Sequence, residues 1–210
     1  MIVLVIGSNG NTATRVVRFL KEKSTLNLVA MIGDTEQRVK FDSIVLTNVL
    51  ADLEYPIDHA ILRCDAIIFA VGSSDRTDKD KTVLVDHIGV IQLMVTAQVQ
   101  VVKRYITFNA INADENNTSR IAHYHKAEAF AERHLLDIDL DWTIICPGGL
   151  RDDEGNSLVS VSSENFLEGG ATRGNLAATL VACLDIPKTI RKRFSLLEGE
   201  TPLHEDLLIV

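Results

Sequence analysis

Ile2-Val3-Leu4-Val5-Ile6-Gly7-Ser8-Asn9-Gly10-Asn11-Thr12-Ala13 decides the architecture of this chain. Five apolar residues read as a buried strand, and the residues from Ala13 to Lys23 read as an amphipathic helix. Between them lies the pattern G-x-x-G-x-x-A. The first glycine lets the chain leave the strand in a tight turn. The second leaves the backbone bare, and the helix beyond offers unpaired N–H groups at the positive end of its dipole. Ala13 is small enough for that helix to pack close to the strand. A glycine pattern alone is weak, but a strand before it and a helix after it are the context in which it marks a pyrophosphate site. Gly7, Ser8, Asn9, Gly10, Asn11 and Thr12 are therefore candidate dinucleotide-binding residues.

Further along, apolar runs alternate with helical periodicity. Asn27–Ile32 reads as a second strand closed by Gly33-Asp34, Ser43–Thr47 as a third followed by Asn48-Val49, and Ala66–Val71 as a fourth. A helix is expected over residues 82–99, a fifth strand over Val101–Phe108, a surface loop over 109–120, and a helix over Ile121–Asp137. Asp141–Cys146 reads as a sixth strand stopped by Pro147-Gly148-Gly149. An irregular section over 151–170 with one alternating run at Ser157–Val161 follows, then a helix over Thr172–Leu184, a strand over Arg193–Leu197 and a short helix over Leu203–Leu208. Alternating strands and helices mean right-handed crossovers and an α/β fold with a doubly wound parallel sheet. Ligands of such sheets bind beyond the strand carboxyl ends. That places Asp34, Asn48, Val49, Ala70, Val71, Gly72, Ser73, Asn109, Pro147, Gly148 and Gly149 beside the glycine loop as candidates.

The 210 residues suffice for one large domain, and a net charge of −8 with no basic face argues against direct contact with nucleic acid. No run of 18 apolar residues is present, so no membrane span is expected. Cys64, Cys146 and Cys183 are odd in number and far apart, which fits a reduced, cytoplasmic setting. His123 and His125 near Asp114 and Glu115 do not have the spacing of a metal site, because alternating residues on a helix do not converge; no metal is expected. His87 reads as a core histidine and Cys146 as a buried, inert thiol.

With these residues in place, the sequence resembles the atypical short-chain dehydrogenase/reductases, the NmrA-like and flavin-reductase-like group of NAD(P)-binding Rossmann proteins. The resemblance is carried by Gly7-Ser8-Asn9-Gly10, Asp65 to Ser73, Asp80-Lys81-Thr82 with Val85-Asp86, Thr143-Ile144-Ile145-Cys146-Pro147-Gly148-Gly149-Leu150, and Leu196-Leu197-Glu198-Gly199. It implies one Rossmann domain over residues 1–210 with a small C-terminal substrate lobe drawn from 151–170 and 185–210. It also implies that Gly7 to Thr12 wrap the pyrophosphate of NAD(P)(H), Asn48-Val49 lie by the adenine, Ala70 to Ser73 line the ribose side, and Pro147 to Leu150 approach the nicotinamide.

Two departures bear on chemistry. Where many relatives have an Arg for the NADP 2′-phosphate, this chain has Gly33 followed by Asp34, which leans the choice toward NAD; Arg38, a few residues on, leaves NADP open. The family's catalytic set is a Ser after the fifth strand and Tyr-x-x-x-Lys on the next helix. Here the Ser position is Asn109, and Lys126 is the family lysine, expected to hold the nicotinamide ribose. Four residues before it stands Ala122. Tyr124 serves as the acid only if the helix begins after it, and His123 is three before Lys126. The sequence thus fits an NAD(P)H-dependent reductase of a flavin, quinone or small carbonyl compound without the Tyr–Lys pair; the alternative is an NmrA-like dinucleotide sensor without turnover, and an isomerase or epimerase is a distant third. A small-molecule substrate is expected, and oligomeric state is not legible.

Overall fold

The structure is a computed structural model and describes residues 1–39, 47–71, 88–111, 122–164 and 169–210. Its strands are β1 (Ile2–Ile6), β2 (Asn27–Ile32), β3 (Thr47–Leu50), β4 (Ala66–Phe69), β5 (Arg104–Phe108), β6 (Asp141–Pro147), β7 (Gly149–Arg151), β8 (Leu158–Ser162), β9 (Gly170–Thr172), β10 (Lys192–Glu198) and β11 (Thr201–Pro202). The described helices are α1 (Asn11–Lys21), α2 (Asp58–Ile61), α3 (Val90–Val99), α4 (Ala122–Asp137), α5 (Arg173–Ala182) and α6 (Leu203–Asp206).

Nine of the described strands form one sheet in the order β11-β8-β10-β6-β5-β4-β1-β2-β3. The run from β3 to β10 is parallel, and β8 and then β11 continue it antiparallel. The chain winds outward from β1 to β3, then returns to place β4 against the other side of β1. This reversal opens a crevice at the carboxyl ends of β1 and β4. Successive residues of β1 enter opposite cores. Val3 and Val5 pack with Val16 and Leu20 of α1 and Leu180 of α5, whereas Leu4 and Ile6 pack with Phe69, Leu93 and Leu135. A strand covered on both faces leaves no side for polar residues, which explains the unbroken apolar runs.

The fifth strand starts at Arg104 rather than Val101. Val101 adopts φ 59° and the Val102 N–H returns to the Ala97 carbonyl at 2.9 Å, so these residues close α3. Arg104 then spends its guanidinium inside the protein. It donates to the Asp141 carbonyl, to Thr143 Oγ1 at 2.6 Å, to the Cys183 carbonyl at 3.0 Å and to Thr189 Oγ1 at 2.9 Å. Burial is the main influence on this group and lowers its pKa; the fan of acceptors offsets that cost and ties β5 and β6 to the end of α5.

The third strand lies later than expected. Pairing runs from Val29↔Thr47 to Ile32↔Leu50. A strand ending at Thr47 would stop level with Val29, three residues short of the edge where β2 delivers its ligand-facing end. Residues 43–46 lie outside the described residues. Of the helix expected over 82–99, residues 82–87 lie outside them as well. Section 151–170 is more regular than expected. Gly149–Arg151 and Gly170–Thr172 pair as a separate parallel ribbon, and Leu158–Ser162 joins the main sheet. Asn175 of α5 shapes the turn between them. Its Oδ1 accepts from the Asn156 and Ser157 N–H groups at 3.1 and 2.9 Å, and its Nδ2 donates to the Leu158 carbonyl at 3.0 Å.

Candidate functional site

The turn after β1 is built as its residues dictate. Gly7 has φ 79°, and a Cβ there would stand 2.8 Å from the Ala70 carbonyl oxygen. Only glycine allows β1 and β4 to approach this closely at the crevice. The Gly10 N–H returns to the Gly7 carbonyl at 2.8 Å, and Gly10 caps α1 with φ −70° and ψ 160°. No side chain caps α1 and no acidic residue occupies its first turn. The helix therefore presents uncapped N–H groups and the positive end of its dipole to the crevice, beside a glycine with no side chain. This donor set fits a pyrophosphate.

Ser8 is different from its neighbours. Its side chain is fully buried and donates to the Met31 carbonyl at 2.6 Å, so it fastens the turn to β2 and offers a ligand only backbone. Thr12 is also buried, while Asn9, Gly10 and Asn11 are exposed.

A cleft of about 390 Å³ runs from this turn over the ends of β2, β3 and β4, lined by Gly7 to Gly10, Met31, Gly33, Gln37, Ala51, Asp52, Leu53, Ala70 and Val71. Ala70 and Val71 are where the sequence reading places them; Gly72 and Ser73 lie outside the described residues. Asn48 and Val49 do not line the cleft: they pair with Ala30 and Met31 inside the sheet. The strand end carries Ala51, Asp52 and Leu53 there instead, a direct consequence of the later third strand. Asp34 does not line the cleft either. Its Oδ1 accepts from the Glu36 N–H at 2.9 Å and caps the short 3-10 turn Thr35–Gln37. That turn brings Gln37 in, with its Oε1 accepting from the Gly33 N–H at 3.2 Å. Arg38 donates through Nε to Asn48 Oδ1 at 3.1 Å.

Beyond β5 lie the residues read as the catalytic set. α4 begins at Ala122, so Tyr124 is already helical backbone. Lys126 is exposed on the same side of α4 as Phe130 and Arg133, and the positions turned to the protein are Ala127, Glu128, Ala131 and Leu135. Lys126 thus faces solvent. The residue one turn after Tyr124 is Glu128, which is buried and accepts the Ala110 N–H at 3.1 Å. Glu132, one turn further, accepts from Asn109 Nδ2 at 2.8 Å and from Arg193 Nε at 2.7 Å. Neither glutamate stood out in the sequence. The available signal was the spacing Tyr124-x-x-x-Glu128, visible by counting forward from the tyrosine instead of back from the lysine.

Asn109 follows β5, with its own N–H bonded to the Ile145 carbonyl at 3.0 Å. Cys146 is buried beside this group; burial, with Glu132 and Glu128 adding to it and Arg193 opposing, pushes its thiol up to about 12. It is an inert core thiol. Pro147 pairs with Leu196 at the end of β6. Gly148 is held by packing, since a Cβ would meet the Gly169 carbonyl oxygen at 2.5 Å. Gly149 is exposed at the start of β7. Burial lowers the pKa of His125.

Strand order β3-β2-β1-β4-β5-β6, with a glycine turn and an open helix N-terminus at its reversal, defines an NAD(P)-binding Rossmann protein. The chain belongs to the NAD(P)H-binding family, whose profile matches residues 7–187. It is 35% identical over 212 residues to the uncharacterized sugar epimerase YhfK of Bacillus subtilis, covering 99% of both chains. A Bacillus halodurans structure described as a candidate NAD-dependent epimerase/dehydratase superposes with a TM-score of 0.92 at 32% identity over the whole of both chains. The oxidoreductase ylbE from Lactococcus lactis superposes with a TM-score of 0.87 at 25% identity, over 100% of this chain and 96% of the other. No described helix is long and apolar enough to cross a membrane.

Proposed function

We propose that this protein is an NAD(P)H-dependent reductase of a flavin, quinone or small carbonyl compound that works without a tyrosine–lysine pair. The observation that carries this reading is the helix face at the reaction end: Lys126 is exposed, and buried Glu128 occupies the turn after Tyr124. A carboxylate there cannot lower the pKa of a phenol as an ammonium would. When bound, the nicotinamide supplies the hydride. The chain's own residues hold the phosphates at the start of α1, seat the adenosine against Ala51 to Leu53, and present Asn109 to the reacting end.

The reading is tested by following NADH and NADPH oxidation with a panel of flavins, quinones and aldehydes. Tyr124→Phe retains most of the rate; a hundredfold loss, the size expected for removing a general acid, would make Tyr124 the catalytic acid and refute it. The same exposed Lys126 also favours a dinucleotide sensor, which binds the cofactor and turns over none of the panel. The name of YhfK raises an epimerase, distinguished by interconversion of a sugar without net cofactor oxidation.

For the cofactor we infer that NAD(H) is bound at least as well as NADP(H). The described cleft lining contains no Lys or Arg, and its one charged side chain is Asp52; a carboxylate opposes a further phosphate. Parallel titrations with both cofactors decide this, and a large preference for NADPH would assign the reading to Arg38 or another cation.

A further inference from the structure

A second cavity, of about 30 Å³, lies between α3, α4 and the ends of β4 and β5. It meets the dinucleotide cleft at Val71, which lines both. Phe69, Val71 and Met94 form its apolar wall, and Asn109, Glu128 and Glu132 its polar one.

The chemistry of Glu132 dictates how Asn109 is turned. Arg193 donates through Nε to Glu132 Oε1 at 2.7 Å. A carboxylate paired with a guanidinium is ionised and accepts only. Asn109 must therefore present its NH₂ to Glu132 Oε2, as it does at 2.8 Å. Its backbone cannot swing to compensate, because the Asn109 N–H is held by Ile145 and the Ala110 N–H by Glu128. Flipping the carboxamide would set its carbonyl oxygen against a carboxylate. Asn109 Oδ1 is consequently the atom turned away from Glu132, and no described residue donates to it.

We propose that Glu132, clamped by Arg193, is a positioning residue that fixes Asn109 with its carbonyl oxygen toward the reaction end, so that the site reads a hydrogen-bond donor on the substrate. This rests on the reductase reading above and narrows it. A quinone or simple ketone carries only acceptor oxygens, which an amide carbonyl repels. A flavin carries a ring N–H, which the carbonyl accepts. The hydroxyl of the usual family serine at this position donates or accepts as required; a clamped carboxamide does not have that freedom. Among the three substrate classes, the site selects the heterocycle that bears an N–H.

Orientation is tested without substrate by a double-mutant cycle in urea denaturation. Asn109→Asp sets two carboxylates face to face and lowers the midpoint. Adding Glu132→Gln restores it, because the glutamine amide donates to the new carboxylate. If the double variant is no more stable than Asn109→Asp alone, the assigned orientation is wrong. Substrate reading is tested with flavin mononucleotide and menadione as acceptors. Glu132→Gln, in which the Asn109 amide is free to flip, raises the KM for flavin mononucleotide relative to that for menadione by tenfold or more. The double variant, which again presents an acceptor oxygen, returns the ratio to within threefold of wild type. A purely structural role shifts both KM values in parallel, and that result overturns the proposal. If the wild-type protein turns over neither acceptor, the reductase reading and the substrate half of this inference fall together, and the stability cycle decides the orientation by itself.

Discussion

Gly7 and Gly10 lie in one turn, yet substituting them separates folding from binding. Gly10 has φ −70°, which any residue adopts, and a Cβ there meets only the Gly7 carbonyl oxygen at 3.2 Å and the Ala70 carbonyl oxygen at 3.9 Å. Gly10→Ala therefore costs about 1 kcal/mol or less, the difference between a glycine and an alanine helix cap. The remaining atoms of Gly10→Val project over the cleft that Gly10 lines, where a pyrophosphate must approach α1. The expected loss is at least a hundredfold in affinity for the valine, about 2.8 kcal/mol, and at least tenfold for the alanine, about 1.4 kcal/mol. Gly7→Ala behaves in the opposite way. Its φ of 79° is left-handed, and its Cβ would be 2.8 Å from the Ala70 carbonyl oxygen and 2.9 Å from the carbonyl carbon. Left-handed strain of about 1–2 kcal/mol and an overpacking cost of about 1–3 kcal/mol sum to roughly 3 kcal/mol of lost stability. Urea denaturation gives the stabilities, and calorimetric titration with NADH gives the affinities. A folded Gly10→Val variant that binds NADH as wild type does would refute the assignment of the phosphate site.

Arg104→Met removes a buried cation from four acceptors and should destabilise by about 3 kcal/mol or more in urea denaturation; an unchanged midpoint would show that the network is idle. Lys126→Ala should leave NADH affinity within twofold by calorimetry, because the side chain faces solvent; a tenfold loss would return Lys126 to the cofactor. Burial holds His125 below its usual pKa of 6.5, so as pH falls below that value the unfolded chain binds a proton that the folded chain does not. Stability present above pH 6.5 is then lost on acidification, and His125→Phe should flatten that slope in denaturation midpoints measured across pH. Glu128→Ala leaves the part-buried Ala110 N–H without its acceptor and should cost about 1–3 kcal/mol in urea denaturation, whereas Glu128→Gln, which keeps an acceptor oxygen, should cost less than about 1 kcal/mol; equal costs would mean that this hydrogen bond is not what Glu128 contributes.

The parts legible in the sequence are those where one local pattern has one physical solution. The run Ile2–Ile6 followed by two spaced glycines admits little besides a buried strand and a tight turn into a helix, and Ala66–Phe69 reads as a strand because both of its faces are covered. The third strand was harder. Its burial is only partial, and its limits come from pairing with β2, from Val29↔Thr47 onward, which no local window contains. The displacement carried the cleft-lining positions with it, from Asn48-Val49 to Ala51, Asp52 and Leu53. The ribbon of Gly149–Arg151 with Gly170–Thr172 was hidden for the same reason: each strand is three residues long and has meaning only beside the other.

At the reaction end the obstacle was which face of a helix looks inward. A lysine sought by type leads to Lys126 and back to Ala122. A helix read by burial leads to Glu128, Ala131, Glu132 and Leu135, spaced by three and four residues, which is the face a helix must turn to a sheet. On that face charge is costly unless it is held. Both glutamates are held, one by a backbone N–H and the other by Arg193 and Asn109. A partly buried carboxylate, Glu132, tied to the residue that replaces a family serine is not explained by packing, since an apolar residue would fill the same space at less cost. Its presence there gives Asn109 one orientation and the site one polarity, and no property of Asn109 alone in the sequence carries that information.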